Sequence, residues 1–308
     1  MQTDIIQHER TYATVIKLAK SFDSIDKVKI CFEDWKKSSS ENAEAAVSGE
    51  ISAELVFEAA CSLASWNGEA SQESVPCAIY TVFIDTLLQH VLDPNLGPQL
   101  SEHLRGRGMD QKLVIISEYH CSDYRAVDYF FSEKFKLTRG GKDHPFVAKA
   151  GGESAIIFQS FVSSIRKLRL LCSSSVQAYL NPADELKNFA YGRFHTIEFN
   201  HVLGDFIAGL NVGPFPISGS NHTVSLMATV APNNSVRIYP SFRMIVDFSN
   251  VDGSFCSMAP GNSGCKGPYY SDLAEAFLKG EYFKMVFSEE EIQQLEKQLG
   301  KKILIHKG

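Results

Sequence analysis

The chain has 308 residues, a hydrophobic content of 44% and an aromatic content of 11%, which are typical of a folded globular protein and exclude disorder as the default. Its formal net charge of -6 disfavours nucleic acid and anionic membranes as partners, because both require a basic face. No apolar stretch of transmembrane length and no signal peptide is visible, so we expect no membrane partner and a cytoplasmic location by default.

The cysteines indicate free thiols in a reducing setting, and the first predicted elements are helices. The seven cysteines are scattered without a C-x-x-C pair, which predicts buried free thiols in a reducing setting and no metal site or other cofactor. Two early segments carry apolar residues at helical spacing. They are Leu55, Ala59, Leu63 and Trp66, and then Ile79, Phe83, Leu87 and Val91. We expect the first helix to start near Ser52 and the second to end at Asp93-Pro94.

The middle and the last third of the chain differ in the pattern of their apolar residues. After an exposed connection at 139–152, the apolar segment 156–180 predicts a buried helix. Three later segments then alternate β-branched or aromatic residues with polar ones and predict an antiparallel sheet. They are 194–199, 222–230 and 242–248, and they precede a long glycine-rich loop at 249–269.

These elements predict an α+β fold. Residues 1–190 form a mainly helical region, and residues 191–308 form a strand-rich region that ends in a helix. Ser288 caps that helix and Glu291 stands three residues later as its capping-box partner. We expect the two regions to form one intertwined domain.

Five motifs follow one another in the last third. They are Tyr191-Gly192-Arg193-Phe194-His195; Gly213-Pro214-Phe215-Pro216 with Gly219 and Thr223-Val224; Phe242-Arg243-Met244-Ile245-Val246-Asp247; Gly261-Asn262-Ser263-Gly264 with Pro268-Tyr269-Tyr270; and Leu278-Lys279-Gly280-Glu281-Tyr282. In order and spacing they resemble motifs of the penicillin amidase (penicillin acylase) family. Two upstream stretches, Gln2-Thr3-Asp4 and Ser65-Trp66-Asn67-Gly68, resemble others that lie well inside the family's large subunit. The chain therefore resembles the C-terminal part of that subunit.

The resemblance implies an N-terminal-nucleophile hydrolase that cleaves linear amides. In such enzymes an N-terminal serine attacks the amide, and its own α-amine acts as the base. The resemblance implies an αββα sandwich, to which this chain contributes helices and antiparallel strands of one layer as a fragment of a larger domain. It also implies that the nucleophile, the oxyanion asparagine and the calcium ligands lie outside the matching positions. We therefore predict no catalytic residue here, a complementary N-terminal acylase chain as partner, and a small acyl amide as substrate.

Three residues are candidates for a substrate cleft. His195 opens a predicted strand, His222 lies in the loop that resembles the family's G-P-F-P stretch, and Arg243 lies in the middle of a strand. A structural role is the simpler interpretation of each. In that interpretation His195 is a core or strand-end histidine whose hydrogen bonds are satisfied, and His222 lies on a surface loop. Arg243 forms a buried structural ion pair, for example with Asp247.

Other residues imitate reactive sites or depart from the family pattern. Gly219-Ser220-Asn221 imitates a self-cleavage junction, but no tryptophan follows it. Cys265 has only Lys266 as a basic neighbour, which does not indicate a reactive thiol. Asn262 and Tyr269 stand where the family usually has glutamine and histidine. We attribute the glycines of their loop to turns that need a positive φ.

Three functions remain open on the sequence. The first is a segment of a linear-amide acylase that is inactive without the missing nucleophile. The alternative is a non-catalytic remnant that acts as a binding or scaffolding protein. An independent hydrolase that uses a cysteine or histidine has no motif to support it. If the chain is an isolated piece of the acylase sandwich, we expect it to expose an apolar sheet face or an unpaired strand edge.

Overall fold

The computed structural model describes residues 5–6, 9–38, 51–105, 123–173, 185–229 and 235–300. In these ranges it contains helices and two small sheets, which confirms the predicted α+β class. The α-helices are α1 Glu9–Lys20, α2 Ile25–Ser38, α3 Ala53–Ala64, α4 Val75–Leu96, α5 Pro98–Leu104, α6 Asp123–Phe131, α7 Glu133–Thr138, α8 Pro145–Lys149, α9 Glu153–Ser173, α10 Ala274–Leu278 and α11 Glu289–Leu299. The strands are β1 Thr196–Phe199, β2 Val212–Pro216, β3 Ala228–Thr229, β4 Ser235–Ile238, β5 Phe242–Ile245, β6 Phe255–Met258 and β7 Phe283–Lys284.

The chain divides into two compact units. The first, which we call the helical unit, comprises 1–197 and 214–239, and the second, the sheet unit, comprises 198–213 and 240–308. The helical unit therefore includes residues 214–239, which belong to the strand-rich part of the sequence. The sandwich layer and the single intertwined domain remain predictions.

Local capping signals set the helix starts of the helical unit. The Ser52 hydroxyl accepts a hydrogen bond from the Leu55 amide at 3.1 Å and caps α3, as the sequence predicts. Ser74 caps α4 in the same way, and Pro76 follows in its first turn, where proline costs no hydrogen bond. The predicted end of α4 at Asp93-Pro94 is wrong, because the helix continues to Leu96. The Asn95 side chain donates to the Val91 carbonyl at 2.7 Å and supports this extra turn.

The core of the helical unit lies around α4 and α9, which pack along each other. Phe83 and Phe161 are both fully buried and meet edge to face, with ring centroids 5.2 Å apart. Phe22 of the α1–α2 connection packs on Phe161 and Phe158. Aromatic pairs of this kind add to the stabilisation from burial alone. The predicted helix at 156–180 is confirmed as far as Ser173, and its last residues lie outside the described ranges.

The four-stranded sheet has the order β2–β1–β4–β3. β1 and β4 are parallel, with Thr196 opposite Ser235, whereas β3 and β4 are antiparallel. The prediction of a purely antiparallel sheet is therefore wrong. In the described part of the predicted strand at 222–230, which ends at residue 229, the strand is Ala228–Thr229, because the residues before it form a hydrogen-bonded loop.

The three-stranded sheet of the sheet unit has the antiparallel order β5–β6–β7. The predicted strand at 242–248 is confirmed over Phe242–Ile245. The predicted loop at 249–269 was wrong in part, since it contains β6, whose Phe-Cys-Ser-Met sequence pairs with β5. The final helix is confirmed, with the Ser288 hydroxyl accepting from the Glu291 amide at 3.4 Å.

The expectation that no apolar stretch reaches transmembrane length was wrong. By length and composition alone, α4 could cross a membrane, although two-thirds (67%) of its most apolar window is buried in the protein. Core helices meet the same criterion, and most of the apolar residues of α4 are buried in the protein. The described cysteines are free thiols, as predicted, but the expectation that they are buried is correct only for Cys77 and Cys172, since Cys61 and Cys265 are exposed.

Candidate functional site

Three stretches that carry the sequence motifs meet in the helical unit, and we call their meeting point the junction. It comprises residues 66–74, 191–195 and 216–227. The Gly192 amide donates to the Gln72 carbonyl at 2.7 Å, and the Gly219 amide donates to the Ala70 carbonyl at 2.7 Å. The Gln72 amide in turn donates to the Ser218 hydroxyl at 3.1 Å. Main-chain hydrogen bonds thus join motifs that are more than 100 residues apart.

Trp66 anchors the first stretch of the junction. Its buried ring packs on Tyr80 and Tyr12, and its indole N–H donates to the Glu69 carbonyl at 2.9 Å. The Tyr12 hydroxyl donates to the Trp66 carbonyl. Gly68 lies on the face of the Tyr12 ring with φ of +85°, a conformation that favours glycine. In the Ser-Trp-Asn-Gly stretch, Trp66 and Gly68 are therefore packed into the protein, whereas Ser65 and Asn67 are exposed.

Two glycines allow the close approach of the junction's chains. A Cβ atom at Gly192 would lie 2.9 Å from the Gln72 Cβ and 3.0 Å from the Pro216 Cβ. A Cβ at Gly219, where φ is +97°, would lie 2.4 Å from the Ser225 carbonyl oxygen. Any larger residue at either position would push these segments apart.

His195 is the central side chain of the junction and is 1% exposed. Its Nδ1 lies 2.8 Å from the Ile217 carbonyl oxygen and its Nε2 lies 3.1 Å from the Met227 carbonyl oxygen. The ring stacks on Tyr191, with centroids 4.2 Å apart. Burial lowers the pKa of His195 to about 4, although both carbonyls favour its charged form. The neutral ring donates a hydrogen bond to one of these two carbonyls and lies between the two ends of the loop 217–227, just before β1.

The loop 217–227 that carries His222 is closed by its own hydrogen bonds. The Ser220 amide donates to the Thr223 hydroxyl at 2.8 Å, and the Thr223 hydroxyl donates to the Ser225 carbonyl at 2.8 Å. The Ser220 hydroxyl accepts from the His222 amide at 3.0 Å. His222 is itself buried, so it does not lie on an exposed loop surface as the simpler interpretation expected.

Arg243 belongs to the sheet unit, whereas His195 and His222 belong to the helical unit. Its guanidinium lies 3.8 Å from the centroid of the Phe277 ring, and its Nη1 donates to the Phe277 carbonyl at 3.4 Å. Phe277 is fully buried in α10. Arg243 therefore fixes α10 on the sheet by a cation–π contact and a hydrogen bond.

The glycine-rich loop of the sheet unit is shaped by close approach. A Cβ at Gly261 would lie 2.5 Å from the Tyr269 carbonyl oxygen, and φ at Gly261 is not positive. The attribution of this loop's glycines to positive φ was therefore wrong at Gly261, where the Tyr269 main chain passes too close. Tyr269 and Cys265 themselves are exposed.

A shallow polar hollow of about 440 Å³ lies beside the first stretch of the junction. It is lined by Ser62, Ser65, Trp66, Asn67, Glu69, Ser71, Glu73, Ser74 and Pro76. The Ser65 hydroxyl donates to carbonyls of α3, and the Ser74 hydroxyl caps α4. These hydroxyls therefore hold helix ends. In the described ranges, no group of three His, Cys, Asp or Glu side chains could hold a metal ion.

The comparisons with known proteins agree with the motifs. The family model described as penicillin amidase matches residues 10–294. The chain belongs to the penicillin amidase family. The acyl-homoserine lactone acylase QuiP of Pseudomonas fluorescens is 24% identical over 235 residues, which cover 74% of this chain and 25% of that protein. The QuiP acylase of Pseudomonas aeruginosa is 22% identical over 255 residues, which cover 76% of this chain and 27% of that protein. The chain thus spans about a quarter of the length of the curated relatives it matches.

The motifs identified the family from the sequence alone, but the contacts between them could not be predicted. Nothing in the sequence of Gly68 to Ser74 predicts which segments it contacts. Its main-chain hydrogen bonds to Gly192 and Gly219 depend on the close approach of distant residues, which a local sequence pattern does not show. Gln2-Thr3-Asp4 lies outside the described residues. In this family member, the cleft roles of His195, His222 and Arg243 remain predictions.

Proposed function

We propose that this chain forms part of an acylase that hydrolyses the linear amide bond of a small N-acyl compound. The family match over residues 10–294 carries the proposal. The name of the QuiP relatives makes acyl-homoserine lactones the first substrate class to test.

The chemistry that we propose follows the family's N-terminal-nucleophile pattern. A serine hydroxyl attacks the amide carbonyl carbon, and its own α-amine accepts the proton. The α-amine then gives this proton to the leaving amine as the C–N bond breaks. Water hydrolyses the resulting ester and releases the carboxylic acid. We place this serine in polypeptide outside residues 1–308, since the chain spans only about a quarter of its curated relatives.

The described residues would frame this site rather than carry out the chemistry. His195 has main-chain oxygens at both ring nitrogens, and Arg243 contacts Phe277 with its guanidinium. A general base must reach the proton that it removes, and a buried ring held in this way does not. We propose that His195 is a positioning residue of the junction, with His222 in the loop that it holds, and that Arg243 has the corresponding role in the sheet unit.

The test uses the protein purified from its native source. It is assayed with a series of N-acyl 4-nitroanilides and N-acyl homoserine lactones, with and without an aryl sulfonyl fluoride. We expect amide hydrolysis that the reagent abolishes, and a label on an N-terminal serine outside 1–308. A label on Ser220 or Cys265 would overturn the assignment of the nucleophile. Tight binding of an acyl amide without turnover would instead support the binding or scaffolding remnant.

A further inference from the structure

The last helix, α11, carries apolar side chains that the described part of the chain does not cover. Ile292 and Leu295 lie about 60° apart around the helix and therefore share one face, which we call the α11 stripe. They are 40% and 36% exposed. Phe287, two residues before the helix begins, is 53% exposed. Among the side chains of α11 that the structure describes, none is buried.

Local signals at its two ends form α11 without burial of the stripe. A helix of 11 residues is marginal in water unless its apolar face is packed or its ends are stabilised. Here Ser288 caps the first turn, and Gly300 ends the helix in the left-handed conformation with φ of +62°. The glutamates at 289–291 are also favourable at the positive end of the helix dipole. The helix is therefore formed while its apolar stripe faces solvent.

Acidic side chains border the α11 stripe on both sides. At about 100° per residue, Glu291 and Glu296 lie about 70° from the centre of the stripe and Glu289 about 90° from it. Lys297 lies on the opposite side of the helix, about 170° away. Lys284 pairs with Glu291 at 3.0 Å, but both side chains are partly exposed, so this ion pair contributes little. The stripe therefore has negatively charged borders.

We propose that the α11 stripe is a docking site for a basic amphipathic helix of another polypeptide. Such a helix brings an apolar stripe of its own, and its lysine or arginine side chains meet the acidic borders of α11. The charge pattern disfavours two other occupants. A second copy of α11 would place glutamates against glutamates, and an anionic membrane would repel the same carboxylates.

The extent of the family match separates this site from the packing that acylases share. The match ends at residue 294, in the middle of α11, so Leu295 and Glu296 lie beyond it. Half of the apolar stripe and one of its acidic borders are therefore additions to the matched sequence. We assign the site to a partner of this chain, and the assignment does not depend on the proposed amide hydrolysis.

The size of the surface defines the kind of complex that it forms. The helix is about 16 Å long, and one pair of helices of this length buries less than the roughly 1,200 Å² of a stable interface. Transient contacts are of this size. We therefore expect a reversible complex with a dissociation constant of about 10–100 μM at low salt.

Fluorescence anisotropy with two designed peptides tests the proposal on the 308-residue chain. Both peptides are helices with leucine at heptad positions a and d. One has lysine at the bordering positions e and g, and the other has glutamate there. We expect the lysine peptide to bind at least about tenfold more tightly than the glutamate peptide. Its affinity should fall as the ionic strength rises from about 0.01 M to about 0.15 M, because the Debye length shortens from about 30 Å to about 8 Å.

A matched pair of variants separates the α11 site from the net charge of the protein. Glu289→Gln and Glu290→Gln each remove one charge from the first turn, but Glu290 points away from the stripe. We expect Glu289→Gln to weaken binding of the lysine peptide about threefold and Glu290→Gln to change it by less than about 1.5-fold. Equal effects of the two variants would show that the peptide responds only to net charge and would overturn the proposal.

A second pair of variants tests the apolar part of the site. Ile292→Gln combined with Leu295→Gln should weaken binding of the lysine peptide at least about tenfold, since it removes both members of the stripe. Leu137→Gln, at a residue of the helical unit that is 72% exposed, is the control and should leave binding unchanged. Binding that survives loss of the stripe would place the peptide elsewhere and overturn the proposal.

Two further results would also overturn it. Sedimentation of the chain as a dimer that the Ile292→Gln and Leu295→Gln changes dissociate would assign the stripe to a second copy. The titration is repeated on the acylase purified from its native source, after a wash at about 1 M salt that removes partners held by charge. Loss of peptide binding there would mean that acylase polypeptide covers α11, whereas retained binding supports the docking site.

Discussion

The helical unit and the sheet unit differ in how many apolar side chains they bury. The helical unit surrounds α4 and α9 with buried apolar side chains, many of them fully inaccessible. In the described part of the sheet unit, the buried apolar residues are Phe199, Tyr270, Ala274 and Phe277. Most of the exposed large apolar side chains of the protein lie in that same unit. A unit with so small a core gains little stability of its own from burial.

The largest effect should come from the core of the helical unit. Phe161→Ala removes a fully buried ring that contacts Phe83 and Phe22, so we expect a loss of about 3–5 kcal/mol in the free energy of unfolding. Urea denaturation followed by far-ultraviolet circular dichroism measures it. The control Leu137→Ala should change this free energy by less than about 0.5 kcal/mol, because Leu137 is exposed. Equal losses would refute the assignment of the core.

Acid should destabilise the helical unit through its buried histidines. Burial lowers the pKa of both His195 and His90 to about 4, below the ordinary value of 6.5. The unfolded chain therefore binds more protons between these values, and stability falls as the pH is lowered from 6.5 to 4. Each histidine contributes up to about 1.4 kcal/mol per pH unit in this window.

Denaturation midpoints measured across this pH range test the histidine effect. His195→Gln and His90→Gln should each flatten the slope by about one proton's share, whatever they do to absolute stability. His90, whose Nδ1 lies 3.0 Å from the Ser160 hydroxyl, is the comparison site away from the junction. A slope that neither variant alters would show that these rings do not titrate in this way.

The junction should respond to added volume at one glycine. Gly192→Ala places a methyl group against Gln72 and Pro216, so we expect a loss of about 1–3 kcal/mol in the free energy of unfolding. Gly264→Ala is the matched control, since a Cβ there meets nothing within 4 Å. Thermal denaturation of both variants measures the difference. If Gly192→Ala is as stable as Gly264→Ala, the close approach of the three stretches is not real.

The smallest effect is expected at the exposed apolar side chains of β5. Phe242→Ser and Met244→Ser remove side chains that are about half exposed, so the free energy of unfolding should change by about 0.5 kcal/mol or less. Solubility should rise, as measured by precipitation with ammonium sulfate, because the exposed apolar patch shrinks. Phe277→Ala in the same unit is the contrast and should cost about 3 kcal/mol. Large losses from both serine variants would mean that these two side chains are buried.

Periodicity and capping predicted α3, α4, α9 and α11, and local chemistry explains why. They missed the other helices, among them α8, which lies within the stretch 139–152 that we expected to be an exposed connection. Ser52, Ser74 and Ser288 each accept an amide hydrogen bond at the first turn of a helix, and this depends only on neighbouring residues. The short strands were harder to predict. β6 lies inside a glycine-rich stretch, and its pairing with β5 is decided by residues elsewhere in the chain. The parallel pairing of β1 with β4 depends likewise on topology, which alternation of residues does not encode.

The candidate site shows the same division between local and distant information. The motifs around Gly192 and Gly219 identified the family, but their shared contact with 70–72 appears only when the chain is folded. His195 stood out in the sequence as a possible cleft residue. Its two carbonyl neighbours, at Ile217 and Met227, lie 22 and 32 residues away and could not be assigned from spacing.

The most direct test of the account is the intact mass of the native-source protein, combined with its activity on N-acyl amides. We predict that these residues occur in an assembly larger than the 34.2 kDa of this chain and that the assembly hydrolyses a linear N-acyl amide. A lone, folded 34.2 kDa species that leaves every acyl amide uncleaved would contradict the proposed function.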